Sequence, residues 1–235
     1  CAFGGGEEIL SPSPERLEPQ WPGCAQCVGC VFRHGSYEEE LSAKEERVRE
    51  AAVRIGGLDG SLVGPILGAP SPERYRNKAQ FPIGEDKEGN LVLGFYAHHS
   101  HRIVPCEDCL LQPEVFRKVM ECLKEWRRES GASVYDESTG KGLLRHLYLR
   151  RGEKTGEVMV CLVCNGEEIP REKEWAELLK QQIPGLKSVL INTNKEKTNV
   201  VLGKKFRTIW GKSTITDILC GLSFELSPLS FYQVN

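Results

Sequence analysis

The sequence predicts an α+β fold, with a mixed and partly antiparallel β-sheet and about three helices. Two observations carry this prediction. Three stretches repeat apolar residues at the helical period, and many shorter apolar stretches lie between turn signals. The chain has 235 residues, which is enough for one large domain or two modest ones with a real core.

Each of the three predicted helices begins at a recognisable signal. Ser36 and Glu39 form a capping box at the start of the first helix, residues 36–55. The second helix covers residues 114–130 and the third covers residues 171–183, and each follows directly after a proline. Elsewhere along the chain the apolar pattern becomes that of strands.

The predicted strands are short segments of β-branched and apolar residues separated by turns. Two neighbouring segments, 143–150 and 157–164, are expected to pair as a hairpin across the turn sequence RRGEKTG. The full set of predicted strands is 78–84, 90–96, 101–105, 143–150, 157–164, 187–193, 198–203, 206–211 and 223–227.

The composition is that of an ordinary globular protein, with 40% hydrophobic and 27% charged residues. The formal net charge is −2, so binding to nucleic acid would need local basic faces rather than a basic chain. No apolar run approaches the roughly 20 residues that span a bilayer, and no signal peptide is seen. We therefore expect a cytoplasmic protein that does not enter a membrane. The first residue is cysteine, so we expect the native start to be missing.

Ten cysteines are present, and several are closely spaced. Cys24, Cys27 and Cys30 follow one another at intervals of three, and Cys106 and Cys109 form a second C-x-x-C pair. Four thiolates close a tetrahedral zinc site or hold a [4Fe–4S] cluster. A tight triplet with one remote cysteine favours the cluster, whereas two pairs favour zinc. Inert thiols and a redox disulfide between Cys27 and Cys30 remain alternatives.

Two segments combine cations with an aromatic residue. Arg76 and Lys78 lie two positions apart on one predicted strand face, and His146, Tyr148 and Arg150 share a face of another. Such a surface can bind phosphates and stack bases, so Arg76, Lys78, His146 and Arg150 are candidate RNA-binding residues. The alternative is an ordinary solvated sheet face.

Several motifs, taken in order, resemble the RNA uracil-5 methyltransferases, and most closely the bacterial 23S rRNA members that carry an iron–sulfur cluster. These motifs are ILSPSPERLEP, CVGCVFRH, RYRNKAQFPI, GFYAHHSHRIVPCEDCLLQ, GLLRHLYLR and LSPLSFYQVN, and they span nearly the whole chain. The resemblance implies three parts. Residues 1–20 would end an oligonucleotide-binding domain, 21–222 would form a central cluster-binding and RNA-contacting domain, and 223–235 would begin the methyltransferase domain.

The resemblance also implies a cysteine-ligated cluster loop. Cys27, Cys30 and Cys109 match three family ligands of a [4Fe–4S] cluster, while the expected first ligand falls on Trp21. Cys24, three residues later, is the expected substitute. Zinc is the alternative metal.

The SFYQVN motif resembles the family segment where the flipped uridine meets the methyl donor, S-adenosylmethionine. The resemblance implies that Phe231 contacts the RNA base and that Gln233 hydrogen-bonds at this junction. From the residues alone, an aromatic ring beside an amide suits stacking and edge recognition of an extruded base. The alternative is that Phe231 belongs to the core and Gln233 ends a strand.

The implied reaction is methylation of carbon 5 of a uridine in RNA, with 23S rRNA as the expected partner and a monomer as the expected state. The nucleophilic cysteine and the general base are expected downstream of Asn235, so no catalytic residue is assigned here and the chain alone is expected to be inactive. The alternatives are a free-standing RNA-binding iron–sulfur or zinc protein and a zinc-ribbon interaction protein.

Overall fold

The computed structural model describes residues 10–17, 27, 29–32 and 34–232. The chain forms two compact units, Cys1–Pro70 and Ser71–Asn235. In the part of the chain that the structure describes, no helix has the length and apolar character needed to cross a bilayer.

The first unit is built around helix α1 (Tyr37–Glu50). Its predicted cap is present, because Ser36 Oγ accepts a hydrogen bond of 3.2 Å from the Glu39 N–H. The α-helix is followed by a wider π-helical turn, Ala51–Ile55, so the predicted helix over 36–55 changes its geometry in the last turn. The chain then returns along α1, where the Tyr37 hydroxyl accepts a 2.7 Å hydrogen bond from the backbone of Ala69.

The described residues of the second unit form nine strands and two helices. The helices are α2 (Glu114–Ser130) and α3 (Glu172–Gln182). The strands are β1 (Lys78–Glu85), β2 (Leu91–Tyr96), β3 (Ile103–Pro105), β4 (Leu144–Arg151), β5 (Val158–Cys164), β6 (Leu186–Thr193), β7 (Lys205–Gly211), β8 (Ile215–Leu219) and β9 (Leu222–Leu226).

Seven strands form one sheet in the order β3-β2-β1-β4-β5-β6-β7, and β8 and β9 form a separate hairpin. Neighbouring strands in the sheet are antiparallel except for β5 and β6, which are parallel. A parallel pair needs a crossover, and α3 supplies it between β5 and β6. The predicted α+β class with a mixed sheet and three helices is confirmed.

Helices α2 and α3 cover one face of the sheet and build the main core. Phe116, Leu123 and Trp126 of α2 are buried, and the Trp126 ring lies 5.4 Å from that of Trp175 in α3. All seven residues of β5 are buried, which fits the position of this strand between two others and between two covered faces.

The opposite face of the sheet is covered over β4, β5 and β6 by a smaller apolar cluster. This cluster contains Met159, Cys161 and Val163 of β5. Ile215 of β8 and Leu226 of β9 pack against them. The hairpin therefore shields this part of the second face.

One predicted strand was wrong, and one observed strand was not predicted. Residues 198–203 are irregular, because the Asn194 side chain donates to the carbonyls of Val200 and Val201 at 2.7 and 3.1 Å and takes the place of a strand partner. Strand β8 was missed because its hairpin turn uses Cys220 and Gly221, both at positive φ, where Asn-Gly or Asp-Gly is the usual signal.

Candidate nucleic-acid interface and thiol loop

Three of the four predicted RNA-binding residues lie on the sheet face opposite the helices. Lys78 of β1 is paired directly with Arg150 of β4, and Pro82 of β1 is paired with His146 of β4. Residues opposite each other in an antiparallel pair share a face, so the structure places Lys78 beside Arg150, whereas His146 shares their face but lies four residues away along β4.

Arg150 is almost completely buried, with 1% of its surface exposed. Its Nε donates to the Tyr148 hydroxyl at 3.1 Å, and its Nη2 donates to the carbonyl of Ser230 at 2.5 Å. The Tyr148 hydroxyl in turn donates to the carbonyl of Pro228 at 2.8 Å. Arg150 is thus engaged with a later part of the chain, and its predicted contact with RNA stays a prediction.

Lys78 is half-buried beside Arg150. Burial lowers the pKa of its ammonium group, and the neighbouring Arg150 charge lowers it further. Because Lys78 keeps part of its surface exposed, it is the residue of this pair that an RNA phosphate can reach.

His146 is buried, with 7% of its surface exposed. Burial, and then the charge of Arg145, lowers the pKa of its imidazole to about 4, while Glu137 acts in the opposite direction. The ring is therefore neutral at pH 7 and does not offer a charge to a phosphate. Its predicted contact with RNA stays a prediction.

The segment of residues 227–232 follows β9 and crosses the covered part of this face. It is closed by a turn in which the Ser230 N–H donates to the Ser227 carbonyl at 3.2 Å. The Tyr232 hydroxyl donates to the buried carboxylate of Asp217 at 3.1 Å. Phe231, next to Tyr232, is 89% exposed, so it is not a core residue. Gln233 lies outside the described residues.

Arg76 lies just before β1 and belongs to a different feature, the thiol loop of residues 106–112. The Arg76 N–H donates to the carbonyl of Leu111 at 2.9 Å. Arg74 holds the same loop more firmly, through a two-pronged ion pair with Asp108 at 2.6 and 2.7 Å and a 3.1 Å bond to the carbonyl of Cys109. The loop is therefore fixed from outside by two arginines.

Cys109 is the thiol of this loop whose pKa is lowered. A hydrogen bond from Cys106 lowers the pKa of Cys109 to about 6, with further help from the backbone of Leu111 and Gln112 and from the Arg76 charge, and against the effect of burial. The lowered pKa favours the thiolate form of Cys109, which is the form that binds soft metals. Sequence reasoning singled out Cys109 but not its arginine support.

Cys27 and Cys30 lie in the first unit and are both half-buried. A Cβ atom added at Gly29 would sit 3.5 Å from Cys27 Sγ, so this sulfur lies against the backbone of its own loop. Cys24 lies outside the described residues. Within the residues that are described, no group of three or more His, Cys, Asp or Glu side chains is arranged to hold a metal ion, and the cluster stays a prediction.

No family model matches the chain. An uncharacterised RNA methyltransferase of Halalkalibacterium halodurans is 42% identical over 233 residues, which cover 99% of this chain and 51% of that protein. Another, of Caldanaerobacter subterraneus, is 44% identical over 228 residues, which cover 97% of this chain and 50% of that protein.

Among solved structures, the chain resembles the Pyrococcus abyssi tRNA (uracil-54, C5)-methyltransferase in complex with S-adenosyl-L-homocysteine. The TM-score is 0.74 and the identity 26%, over 97% of this chain and 50% of that one. The chain is thus similar to RNA methyltransferases of two bacteria and to a solved tRNA uracil-C5 methyltransferase. The chain spans about half the length of the curated relatives it matches. The expectation that it lacks a catalytic domain finds no support in them, since the match to a methyltransferase covers nearly the whole chain.

The buried neutral imidazole of His146 predicts that the second unit loses stability in mild acid. The unfolded chain binds a proton near pH 6.5 and the folded one near pH 4, so the stabilisation is complete above pH 6.5 and is lost as the pH falls from 6.5 to 4. We expect a loss of up to about 3 kcal/mol in the free energy of unfolding. Urea titrations followed by the fluorescence of the buried Trp126 and Trp175 measure it.

A His146→Leu variant should lose much of this pH dependence. The control is His98→Leu, which removes an exposed histidine of the same unit and should behave as the parent protein does. Equal slopes for all three proteins between pH 6.5 and pH 4 would contradict the assignment of a neutral His146.

Proposed function

We propose that this chain supplies the RNA-contacting and cluster-binding part of an S-adenosylmethionine-dependent RNA uracil-5 methyltransferase that acts on 23S rRNA. The observation that carries the proposal is the exposed ring of Phe231, held at the end of a fixed segment. A large aromatic side chain that is 89% exposed on a fixed backbone is suited to stack on an extruded base. We also propose that the protein is cytoplasmic and monomeric.

The residues of the chain would act by binding and orientation. Lys78 would contact a backbone phosphate, Phe231 would stack on the target uracil, and Gln233 would hydrogen-bond between the uracil and the methyl donor. S-adenosylmethionine, when bound, supplies an electrophilic methyl group.

Carbon 5 of uracil is a weak nucleophile, so the reaction needs covalent activation. A cysteine thiolate would add to carbon 6 and make an enolate, whose carbon 5 would take the methyl group from S-adenosylmethionine and release S-adenosylhomocysteine; none of the described residues is assigned as this nucleophile. A general base then removes the proton from carbon 5, and the double bond re-forms as the thiolate leaves.

Replacing Phe231 with alanine should weaken RNA binding without changing the fold. Loss of one stacked base corresponds to about a tenfold or greater loss of affinity. Fluorescence anisotropy with a labelled, uridine-containing fragment of 23S rRNA measures it.

Leu229→Ala is the matched control. Leu229 lies in the same segment and is 65% exposed, so this substitution also removes an exposed apolar side chain. It should bind RNA as the parent protein does. Equal affinities for the parent protein, Phe231→Ala and Leu229→Ala would contradict the proposed role of Phe231.

We also propose that Cys109 is a ligand of a [4Fe–4S] cluster, with Cys24, Cys27 and Cys30 as the other ligands. The support lies in the donor chemistry of Cys109, a thiolate in a loop that Arg74 fixes. Thiolates that accept backbone N–H bonds suit iron–sulfur clusters and also zinc.

A Cys109→Ser variant should lose iron and acid-labile sulfide, together with the visible absorption of the cluster. Cys220→Ser removes an exposed thiol of the same unit and should retain all three. Iron, sulfide and zinc analysis of protein purified without oxygen measures the result. A colourless parent protein loaded with zinc would contradict the cluster, and a Cys24→Ser variant with a full cluster would remove Cys24 from the ligand set.

A further inference from the structure

We infer that Arg150, Tyr148 and Asp217 are positioning residues, which fix the 227–232 segment on the sheet and thereby set where Phe231 meets RNA. The inference rests on the proposed function, because it takes the contact between Phe231 and RNA as its purpose. In this inference Arg150 acts on RNA binding indirectly, by holding the segment that carries Phe231.

The segment is held on both sides of Phe231. On one side, the carbonyl of Ser230 accepts from Arg150 and the carbonyl of Pro228 accepts from Tyr148. On the other side, the hydroxyl of Tyr232 is held by Asp217. Phe231 is thus the exposed residue between two fixed neighbours, so its backbone is set while its ring stays accessible.

The internal bonds of the segment add to this constraint. The Ser227 N–H donates to Ser230 Oγ at 3.0 Å, and the Ser230 N–H returns to the Ser227 carbonyl. The Tyr232 ring also lies 6.2 Å from that of Phe224 in β9. A turn that is closed internally and tied externally loses little further entropy when RNA binds.

The surroundings of Arg150 favour positioning over simple stabilisation. Among the described residues its hydrogen-bond acceptors are neutral, a hydroxyl and a carbonyl, and its Nη1 is buried without a partner. The nearby Lys78 is a second cation. A buried charge without an anionic partner stabilises a fold less well than an apolar side chain would, but its directed donors specify one geometry.

Asp217 makes a second connection that ties the segment to the main sheet. Its carboxylate accepts from the backbone N–H groups of Glu153 and Lys154, both at 2.9 Å, in the turn between β4 and β5. The same strand β4 carries Tyr148 and Arg150. Tyr148, Arg150 and Asp217 therefore all connect the segment to β4 or to the turn that follows it.

The test uses Phe231→Trp as a fluorescent reporter in the full chain. A uridine-containing fragment of 23S rRNA should quench the additional emission by stacking. Adding Arg150→Gln, which removes the guanidinium bonds to Ser230 and Tyr148, or Tyr148→Phe, which removes the hydroxyl bond to Pro228 and the acceptor for Arg150, should weaken this quenching titration about tenfold. Arg150→Lys, which keeps the charge and one donor, should restore part of it.

The matched control is Arg151→Gln, which removes the same charge from the next residue of β4. Arg151 is half-buried and lies 3.7 Å from Glu153, and among the described residues its side chain makes no hydrogen bond to the segment. It should leave the titration unchanged. Amide hydrogen exchange provides a second readout: exchange over residues 227–232 should rise in Arg150→Gln and Tyr148→Phe but not in Arg151→Gln.

The outcomes separate this inference from the proposed function. If RNA does not quench the reporter even with all anchors present, the proposed role of Phe231 fails, and the hydrogen-exchange difference alone supports or overturns the anchoring. If quenching and exchange are the same in Arg150→Gln, Tyr148→Phe and the parent reporter, the positioning role is overturned. Should Arg150→Gln fail to fold, Tyr148→Phe, which removes only a hydroxyl, decides by the same two measurements.

Discussion

The hydrogen bonds from Tyr148 and Arg150 to the carbonyls of Pro228 and Ser230 connect residues that are 80 positions apart. They lie on the sheet face that the helices leave uncovered, where the β8–β9 hairpin supplies apolar cover together with Val201, Leu202 and Phe206. The segment that carries Phe231 depends on these bonds for its place on the sheet. A fixed backbone beneath an exposed aromatic ring is the arrangement that base stacking needs, because the ring does not have to be ordered at the moment of binding.

The thiol loop follows the same principle with different chemistry. Arg74 takes a left-handed backbone conformation, with φ of 59°, which costs a non-glycine residue about 1–2 kcal/mol. Its guanidinium returns bonds to both oxygens of Asp108 and to the carbonyls of Cys109 and Gln112, and charged hydrogen bonds of this kind offset such a cost. In both places an arginine shapes a loop through backbone carbonyls, and the neighbouring side chain is the one to which a contact is proposed, RNA for Phe231 and a cluster for Cys109.

Local signals predicted the helices and most strands well. Helix α2 has the predicted bounds because Pro113 starts it and Gly131, at φ of 65°, ends it. The failures occurred where the determining interaction is not local in the pattern. Residues 198–203 looked like a strand, but the Asn194 amide satisfies their carbonyls. The turn at Cys220 and Gly221 carries no residue pair that predicts a hairpin.

The candidate site shows the same division. Phe231 and Cys109 could be selected from sequence, since motif and spacing point to them. Alternation placed Lys78, His146 and Arg150 on strand faces, but it could not show that the chain returns 80 residues later to bury Arg150. Burial likewise lowers the pKa of His146 so that its ring is neutral, and the residues next to it in the sequence do not indicate this burial.

The most direct test of the account is to locate the residues of the protein that RNA contacts. A 23S rRNA fragment with 4-thiouridine at its uridine positions, irradiated with the chain and analysed by mass spectrometry of the peptides, locates the contact. The account predicts adducts on the peptide that contains Phe231, reduced by an excess of unlabelled RNA. Adducts found only on other peptides, with none over residues 227–232, would contradict it.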